Sequence, residues 1–477
     1  MRRVIFSGTF SARAVDRKPT RVSSHFGIVV AGCLLLTGCR TVELPAPPII
    51  VTTVAVPVVE ARDAVEAPEV AEALDVLDSP DAVGVAPGSI PARVWDTRGL
   101  WVVRSTLVHP DSVRAMVARA ADAGFNTLLV QVRGRGDAYY SDGIEPRADG
   151  IQDDPTFDPL ALTVREAHAR GIEVHAWINV HLVSSAVVIS RAPTHLVNEH
   201  PELLAVPRGL ARELYDVDPA HPRYRERLVE YALANRGRVE GLYSSPSAPE
   251  VKERVYSVAT DLVERYDIDG IHLDYIRYPS GAFDYSRAAL DRFRTWIDQR
   301  ITDDQRAELA VALEQSPLAL VEAFPEPWAD FRRNQITDLV ERIYVGVKRR
   351  RPEVLVSAAV FPDARESFIN LYQDWEGWLR RGIIDVVAPM AYNPDDGLFE
   401  VAISSAAGVV GPERVWAGVG VHLTTFEGTL SKIEIARRLG VRGFLLFSYD
   451  WSVAYGAASG GEPFLERVGR GSQTLNR

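Results

Sequence analysis

One segment indicates the fold class most directly, Asp269-Gly-Ile-His-Leu-Asp-Tyr-Ile-Arg-Tyr-Pro279. Residues 270–274 are a short, largely apolar run that starts at a glycine and ends in a carboxylate, Asp274. Such a run is typical of a strand buried on both faces of a parallel sheet. We therefore expect rigid backbone to hold Asp274 at one edge of that sheet, and Asp269 to cap the strand at the opposite rim.

Seven further runs of the same kind alternate with helical segments. Periodic apolar residues predict helices at 112–124, 159–171 and 251–266, among others. The alternation predicts an α/β fold, a (β/α)8 TIM barrel with its largest insertions after the third and fourth strands. A doubly wound open sheet is the alternative, disfavoured because no glycine-rich phosphate loop follows the first strand. The predicted strands are 99–104, 127–132, 173–178, 270–274, 355–360, 385–389, 415–419 and 443–447.

The N-terminal residues 1–38 are predicted to be a lipoprotein signal peptide. Basic residues precede an apolar run, 28–36, that is shorter than the roughly 20 residues needed to cross a bilayer. The run leads into Leu36-Thr37-Gly38-Cys39, which resembles a lipobox, in which the cysteine is acylated. We expect Cys39 to carry palmitate and to anchor the protein in the cell envelope. Arg40, in place of aspartate, favours the outer membrane in a Gram-negative host; an ordinary secretory signal is the alternative.

The rest of the chain divides into a tether, a folded unit and a tail. Residues 39–94 hold the predicted lipidated cysteine and a stretch rich in proline, alanine and valine with no aromatic residue. Such a stretch buries too little surface to fold and acts as an extended linker. We expect the barrel to span 95–465 and the residues 466–477 to be a flexible tail.

Composition excludes several classes of function. The 477 residues are 47% hydrophobic and 25% charged, which is ordinary for a globular enzyme. The formal net charge of −11 argues against a nucleic-acid partner, because such domains carry a basic face. Both cysteines, Cys33 and Cys39, lie near the N-terminus, so we expect neither a disulfide framework nor a cysteine-rich zinc site.

The histidines do not predict a metal centre. His175 and His272 lie inside predicted strands, and His181 and His422 stand alone, so each is better explained as a structural residue than as a ligand. We predict no catalytic metal and no other cofactor.

Polar and aromatic side chains follow the predicted strands at their carboxyl ends, where barrel active sites are built. Carboxylates supply acid and base, aromatic faces stack on sugar rings, and arginine or asparagine binds hydroxyls and acidic substituents. This combination predicts a sugar site and a polysaccharide partner. The predicted substrate-binding residues are Arg133, Asp137, Asn179, His181, Arg277, Tyr278, Tyr392, Asp450 and Trp451.

Asp274 is the strongest catalytic candidate, as nucleophile or general base. A purely structural ion pair with Arg277 or Arg133 is the alternative. Glycosidases use two carboxyls roughly 5 to 10 Å apart, and we predict Asp363 as the second because it follows the neighbouring strand. A solvated loop position is the alternative for Asp363.

Three other aspartates compete for the role of second carboxyl. Asp137 lies in a glycine-rich loop after the second strand, and its alternative role is to stabilise a turn. Asp395 and Asp450 follow the sixth and eighth strands.

The folded part resembles the bacterial glycosyl-hydrolase-like family ten lipoproteins. The resemblance implies a barrel glycosidase that acts on bacterial cell-wall glycan strands. Departures are Asn179-Val-His181 in place of Asn-Pro-Tyr, Tyr275 in place of a second acidic residue, and an extra stretch at 224–247. The motifs that carry the resemblance are Arg98-Gly-Leu-Trp101, Gly124-Phe-Asn-Thr127, Gln131-Val-Arg133, Gly136-Asp-Ala-Tyr-Tyr140, Phe157-Asp-Pro-Leu160, Glu166-Ala-His168, Gly171-Ile-Glu-Val-His-Ala-Trp177, 265–279, 389–392 and 443–450.

Three functions stay open at this point. The first is a glycoside hydrolase on an envelope glycan, foremost the glycan strands of peptidoglycan. The second is a non-catalytic glycan-binding lipoprotein, and the third is an envelope scaffold. A second carboxyl beside Asp274 in an open cleft favours the first, a lone carboxylate favours the second, and a filled barrel mouth favours the third.

Overall fold

A computed structural model describes residues 97–459 and 463–474. The predicted signal peptide, the lipidated Cys39 and the linker lie outside the described residues. Within the described residues, we find no helix whose length and apolar character would let it cross a membrane.

Eight parallel strands form one sheet in the order β8-β7-β6-β3-β2-β1-β10-β9. Isolated parallel bridges, Val387 to Val415 and Met390 to Gly418, join β8 to β9 and bring the two ends of the sheet together as a barrel. A separate antiparallel pair, β4 and β5, lies outside this sheet. The strands are β1 (Thr97–Val102), β2 (Thr127–Arg133), β3 (Glu173–Asn179), β4 (Leu182–Ser185), β5 (Gly241–Tyr243), β6 (Gly270–Asp274), β7 (Leu355–Val360), β8 (Val386–Pro389), β9 (Trp416–Gly420) and β10 (Gly443–Phe447).

The predicted barrel is confirmed, strand by strand. The barrel strands are buried along almost their whole length, which explains their near-continuous apolar sequence. Glycines follow the ends of the first two long helices: Gly124 and Gly171 adopt φ of 78° and 69°, a left-handed conformation that closes a helix with little strain only at glycine.

Helices surround the barrel and fill its two large insertions. They are α1 (Pro110–Asp122), α2 (Pro159–His168), α3 (Leu196–Glu199), α4 (Arg208–Leu214), α5 (Pro222–Ala234), α6 (Pro249–Arg265), α7 (Arg287–Asp298), α8 (Asp303–Gln315), α9 (Ala319–Ala323), α10 (Pro325–Arg350), α11 (Ala364–Glu366), α12 (Trp375–Arg381), α13 (Asp396–Val410), α14 (Phe426–Arg438), α15 (Tyr449–Ser459) and α16 (Phe464–Thr474).

The insertions lie after β3 and after β6, the third and fourth barrel strands, as predicted. The first holds the β4–β5 pair together with α3, α4 and α5. The second holds α7, α8 and α9 and has its own apolar cluster, in which Phe293 of α7 packs against both Trp328 and Phe331 of α10.

Residues 466–474 are not part of the flexible tail that the sequence predicts for 466–477, of which the last three residues lie outside the described part of the chain. They lie in α16, which buries Leu465 and Val468 in the main apolar core. The helix is amphipathic, so it gains stability by covering the barrel.

Tryptophans fill the inside of the barrel. Trp416 lies at the start of β9, where its indole nitrogen donates to the Thr97 hydroxyl at 3.1 Å. Trp101 and Trp177 lie near the ends of β1 and β3 and belong to the same buried cluster. Truncating such a ring to alanine costs about 3 to 5 kcal/mol. The interior is thus a packed core that supports a site at the carboxyl ends of the strands.

Candidate active site

Asp274 ends β6 at the mouth of the barrel. The register of β3 and β6 places it beside Asn179, and its Oδ1 accepts a hydrogen bond from the Tyr275 N–H at 2.7 Å. Only 8% of the residue is exposed. Burial raises the pKa of Asp274 to about 6, even though the positive charge of Arg277 and the Tyr275 N–H act against the rise. A carboxyl with this pKa exchanges a proton near neutral pH, as an acid catalyst must.

The chain turns sharply after Asp274. Tyr275 adopts φ of 51°, a left-handed conformation that is strained for a residue with a large side chain. Strain of this kind, worth about 1 to 3 kcal/mol, is typical of functional sites where the surrounding structure imposes it. The turn lets Asp274, Tyr275 and Arg277 all line the same cavity.

Glu240 supplies a second carboxylate to this cavity. It directly precedes β5, which passes so close to β4 that a Cβ on Gly241 would lie 1.9 Å from the Ser184 carbonyl oxygen. The close strand pairing fixes where Glu240 enters the barrel mouth. Its two oxygens accept hydrogen bonds, one from Arg277 Nη2 at 3.4 Å and one from the Tyr243 hydroxyl. These two hydrogen bonds orient the carboxyl group of Glu240.

Arg277 links the two carboxyls electrostatically. It is 5% exposed, and its guanidinium lies 4.8 Å from the centre of the Tyr275 ring and 5.0 Å from that of Phe361. It donates to Glu240 and its charge lowers the pKa of Asp274, while the charge of Glu240 raises that pKa. Asp274, Arg277 and Glu240 thus form one electrostatic unit.

A cavity of about 320 Å³ contains this unit. Its volume lies in the range of small-ligand sites. A larger open groove of about 1090 Å³ lies against α6, α7 and α10 and contains no residue from the end of a barrel strand. The cavity is lined by Trp101, Val103, Arg104, Gln131, Arg135, Trp177, Asn179, Glu240, Asp274, Tyr275, Arg277, Ala359, Phe361, Met390, Tyr392 and Phe447.

Aromatic rings form one wall of the cavity. Tyr392 and Phe447 stack with ring centres 5.4 Å apart, and Trp101 meets both rings edge-on. Trp101 donates its indole N–H to His272 Nε2 at 3.0 Å. Since that nitrogen accepts, the ring proton of His272 lies on Nδ1, which faces Ser357 Oγ at 2.9 Å. Burial holds the pKa of His272 well below its ordinary value, so a neutral imidazole fixes the orientation of Trp101.

Four of the predicted site residues line the cavity: Asp274, Asn179, Arg277 and Tyr392. Asn179 belongs to a polar network, since its amide donates to the Gly134 carbonyl at 2.9 Å. Trp451 lies outside the lining and is 48% exposed, and it stacks on His422, which in turn meets Tyr392 edge-on. This places an exposed indole beside the aromatic wall.

Asp363 does not face Asp274. It is exposed and caps the short helix α11, where its Oδ1 accepts from the Glu366 N–H at 2.8 Å. The loop after β7 turns outward, so the second carboxyl of the cavity comes from Glu240 instead.

Two residues that the sequence predicts to bind substrate form buried contacts within the protein instead. Arg133 is buried in an ion pair with Glu145, its Nη2 lying 2.7 Å from Oε1. Burial raises the pKa of Glu145, but the charges of Arg133 and Arg254 outweigh this and hold the pKa below its ordinary value. His181 is fully buried beside Ser244 Oγ at 3.2 Å, and burial lowers its pKa to about 3.

Three more predicted residues lie outside the cavity lining. Asp137 accepts hydrogen bonds from the main-chain N–H groups of its own loop. It thus stabilises the turn, which is the alternative role predicted from the sequence. Tyr278 is fully buried against Tyr372. Asp450 accepts from the Val103 N–H at 3.0 Å and so ties α15 to the end of β1.

Glu240 is the main functional residue that sequence reasoning missed. It lies in the insertion and follows no barrel strand, so the strand-end rule does not reach it. The extra stretch 224–247, a departure from the family pattern, was the available signal. Among the residues that the structure describes, no group of three or more His, Cys, Asp and Glu side chains is arranged to hold a metal ion.

Comparison with known proteins identifies relatives of most of the barrel. The family described as "Glycosyl hydrolase-like 10" matches residues 96–235 and 229–423. Glycosyl hydrolase DigH of Escherichia coli (strain K12) is 26% identical over 332 residues, which cover 65% of this chain and 65% of DigH. Glycosyl hydrolase YngK of Bacillus subtilis (strain 168) is 26% identical over 290 residues, which cover 56% of this chain and 46% of YngK. The chain thus spans less than two thirds of the length of these curated relatives.

Solved structures share the fold. The PgaB (BpsB) glycoside hydrolase domain from Bordetella bronchiseptica superposes with a TM-score of 0.53 at 14% identity, covering 76% of this chain and 97% of that domain. A GH42 β-galactosidase from G. stearothermophilus gives 0.53 at 13% identity, covering 81% of this chain and 57% of the galactosidase. At these identities the likeness establishes the barrel fold alone.

Proposed function

The chain belongs to the glycosyl hydrolase-like 10 family, and from that premise we propose that it is a glycoside hydrolase that cuts a bacterial envelope glycan, foremost the glycan strands of peptidoglycan. Asp274 acts as the general acid and Glu240 as the second carboxylate. Asn179, Arg277 and Tyr392 bind the sugar.

One observation carries this proposal: two carboxyls, Asp274 and Glu240, line one ring-lined cavity together with Arg277. Cleavage of a glycosidic bond needs one carboxyl that gives a proton to the leaving oxygen and another that stabilises or attacks the anomeric carbon. The pKa of about 6 allows Asp274 to hold a proton at mildly acidic pH. Glu240 accepts hydrogen bonds from Arg277 and Tyr243, and we assign it to meet the positive charge that develops on the sugar ring. A lone carboxylate, as in a binding protein, would lack this division of roles.

An envelope substrate fits the location in the cell that we propose for this protein. We propose that Cys39 is lipidated and that the linker 39–94 holds the barrel away from the membrane surface, the outer membrane in a Gram-negative host. An anchored barrel meets polymers of the envelope more often than diffusing sugars. The resemblance to family ten lipoproteins favours peptidoglycan among these polymers.

The test is release of new reducing ends from peptidoglycan stripped of its stem peptides. We expect the wild-type protein to release them, and Asp274→Asn or Glu240→Gln to lower the rate at least about a hundredfold, since each removes a catalytic carboxyl. Asp363→Asn is the matched control: it makes the same change at an exposed helix cap, where asparagine serves equally well. No release by the wild type, or equal rates for Asp274→Asn and Asp363→Asn, would overturn the proposal.

A further inference from the structure

Two guanidinium groups in the cavity have no carboxylate to pair with. Arg104 and Arg135 both line it, and neither forms an ion pair with a carboxylate in the described part of the chain. The Nε and Nη1 atoms of Arg135 are buried and have no hydrogen-bond partner among the described residues. A buried charged group without such partners costs free energy, which a bound anion would offset.

The acidic groups nearby are already used. Asp137 follows Arg135 by two residues but accepts from main-chain N–H groups, at 2.8 Å from the nitrogen of Arg135 itself. Glu240 accepts from Arg277 and from Tyr243. Desolvation and the like charge of Arg104 lower the pKa of Arg135. Among the described residues, Arg104 and Arg135 thus form a positive patch with no carboxylate within ion-pair distance, and the charge of Asp137 reaches Arg135 only from farther away.

The loop holds Arg135 in a fixed place. His195 accepts from the Val197 N–H through Nδ1, so its Nε2 carries the proton and donates to the Arg135 carbonyl at 2.8 Å. Gly136 has φ of 73°, and a Cβ there would lie 3.2 Å from His195 Nε2. The backbone on both sides of Arg135 is therefore tied down before any ligand binds.

Arg104 is positioned by the neighbouring network. A Cβ on Gly134 would lie 2.4 Å from Arg104 Cδ, so the glycine provides the space through which this side chain passes. Arg104 Nη1 donates to Gln131 Oε1 at 3.0 Å, and Gln131 in turn faces Asn179. The arginine is thus held beside Asn179, a residue of the proposed sugar site.

We propose that Arg104 and Arg135 form a subsite for a carboxylate carried by a sugar of the substrate. This deepens the proposed function, on which it rests: the glycan is acidic, and its carboxylate fixes the register of the chain against Asp274 and Glu240. Guanidinium groups bind carboxylates through two parallel charge-assisted hydrogen bonds, which gives both affinity and orientation. A lactyl ether on an amino sugar and a uronic acid ring both present this group.

The test compares matched ligands on the full chain carrying Asp274→Asn, which prevents turnover. Calorimetry gives the Kd for peptidoglycan strands stripped of stem peptides, whose lactyl carboxylates are exposed, and for the same strands after their carboxyls are reduced to alcohols. We expect the carboxylate form to bind about ten- to a hundredfold more tightly. Oligogalacturonate is the second source of the same group, and neutral chito-oligosaccharide should bind like the reduced strands.

Substitutions locate the subsite. Arg135→Gln should lose most of the difference between the two strand forms and leave the Kd of the reduced strands unchanged; Arg104→Gln should lose part of it. Arg349→Gln is the control. Arg349 is exposed at the end of α10, which precedes β7 and so lies at the rim of the barrel opposite the cavity, and its replacement should change neither Kd. Because the ligand comparison needs no substitution at either arginine, a variant that fails to fold leaves the test decisive.

Equal Kd values for carboxylate and reduced strands, with oligogalacturonate no tighter than neutral chito-oligosaccharide, would overturn the subsite, whatever the hydrolysis assay shows. Tight carboxylate binding without release of reducing ends by the wild type would uphold the subsite and overturn the hydrolase. Tighter binding of oligogalacturonate than of stripped strands would support the subsite and assign it to a uronic acid; the reverse order would assign it to a lactyl ether.

Discussion

Replacing Asp274 by asparagine should make the protein more stable at neutral pH while it removes activity. Burial raises the pKa of Asp274 from 3.8 to about 6. Below pH 3.8 the carboxyl is protonated in both states and changes nothing. Between pH 3.8 and about 6 the carboxyl ionises in the unfolded chain but not in the folded protein, so the free energy of unfolding falls as pH rises. Above about pH 6 the folded protein carries the full cost of burying the charged carboxylate. The difference in pKa corresponds to about 3 kcal/mol at pH 7.5.

Asparagine has the same shape and no charge to bury, so Asp274→Asn avoids this penalty. We expect its gain in the free energy of unfolding to be about 3 kcal/mol at pH 7.5 and about half of that at pH 5. Equilibrium unfolding in urea at both values measures the gain. Asp363→Asn, which changes an exposed carboxyl, should show no such gain at either pH. A variant no more stable than the wild type at pH 7.5, or a gain that does not grow with pH, would refute the assignment of Asp274 as a buried acid.

The same contacts fix the outcome of three other experiments. Glu145→Gln should lower the free energy of unfolding by about 3 to 5 kcal/mol, because it leaves Arg133 buried beside a neutral group. Equilibrium unfolding in urea measures this loss, and a loss under about 1 kcal/mol would contradict the ion pair. kcat/KM for reducing-end release should fall as pH rises through about 6, since Asp274 must hold a proton, and a flat profile across this pH would exclude that role. Trp451→Ala should raise KM about two- to tenfold with kcat unchanged on long strands, as steady-state kinetics would show; an unchanged KM would rule out stacking there.

The barrel was predictable from sequence because its strands are buried on both faces. Full burial demands continuous apolar runs, and glycines such as Gly124 and Gly171 close helices shortly before the next run begins. α16 was not predictable in this way: its apolar face is narrow, and the many polar residues of 464–474 resemble a solvated tail until the barrel surface that covers Leu465 is known.

The site was predictable only where a side chain lies directly at a strand end. Asp274 and Asn179 are in that position, and the register of β3 and β6 brings them side by side. Arg133 also ends a strand, but its side chain is drawn to Glu145, a carboxylate twelve residues away whose burial no local pattern reveals. Glu240 enters from an insertion, so its place depends on the pairing of β4 and β5, which is a tertiary contact.

A crystal structure of Asp274→Asn with a glycan fragment from stripped peptidoglycan tests most directly whether the cavity at the barrel mouth is the active site. We expect the fragment to bind in the cavity at the barrel mouth, with the side chain at 274 within hydrogen-bond distance of a glycosidic oxygen and Glu240 facing the anomeric carbon. A fragment bound in the groove against α6, α7 and α10, with the cavity empty, would contradict it.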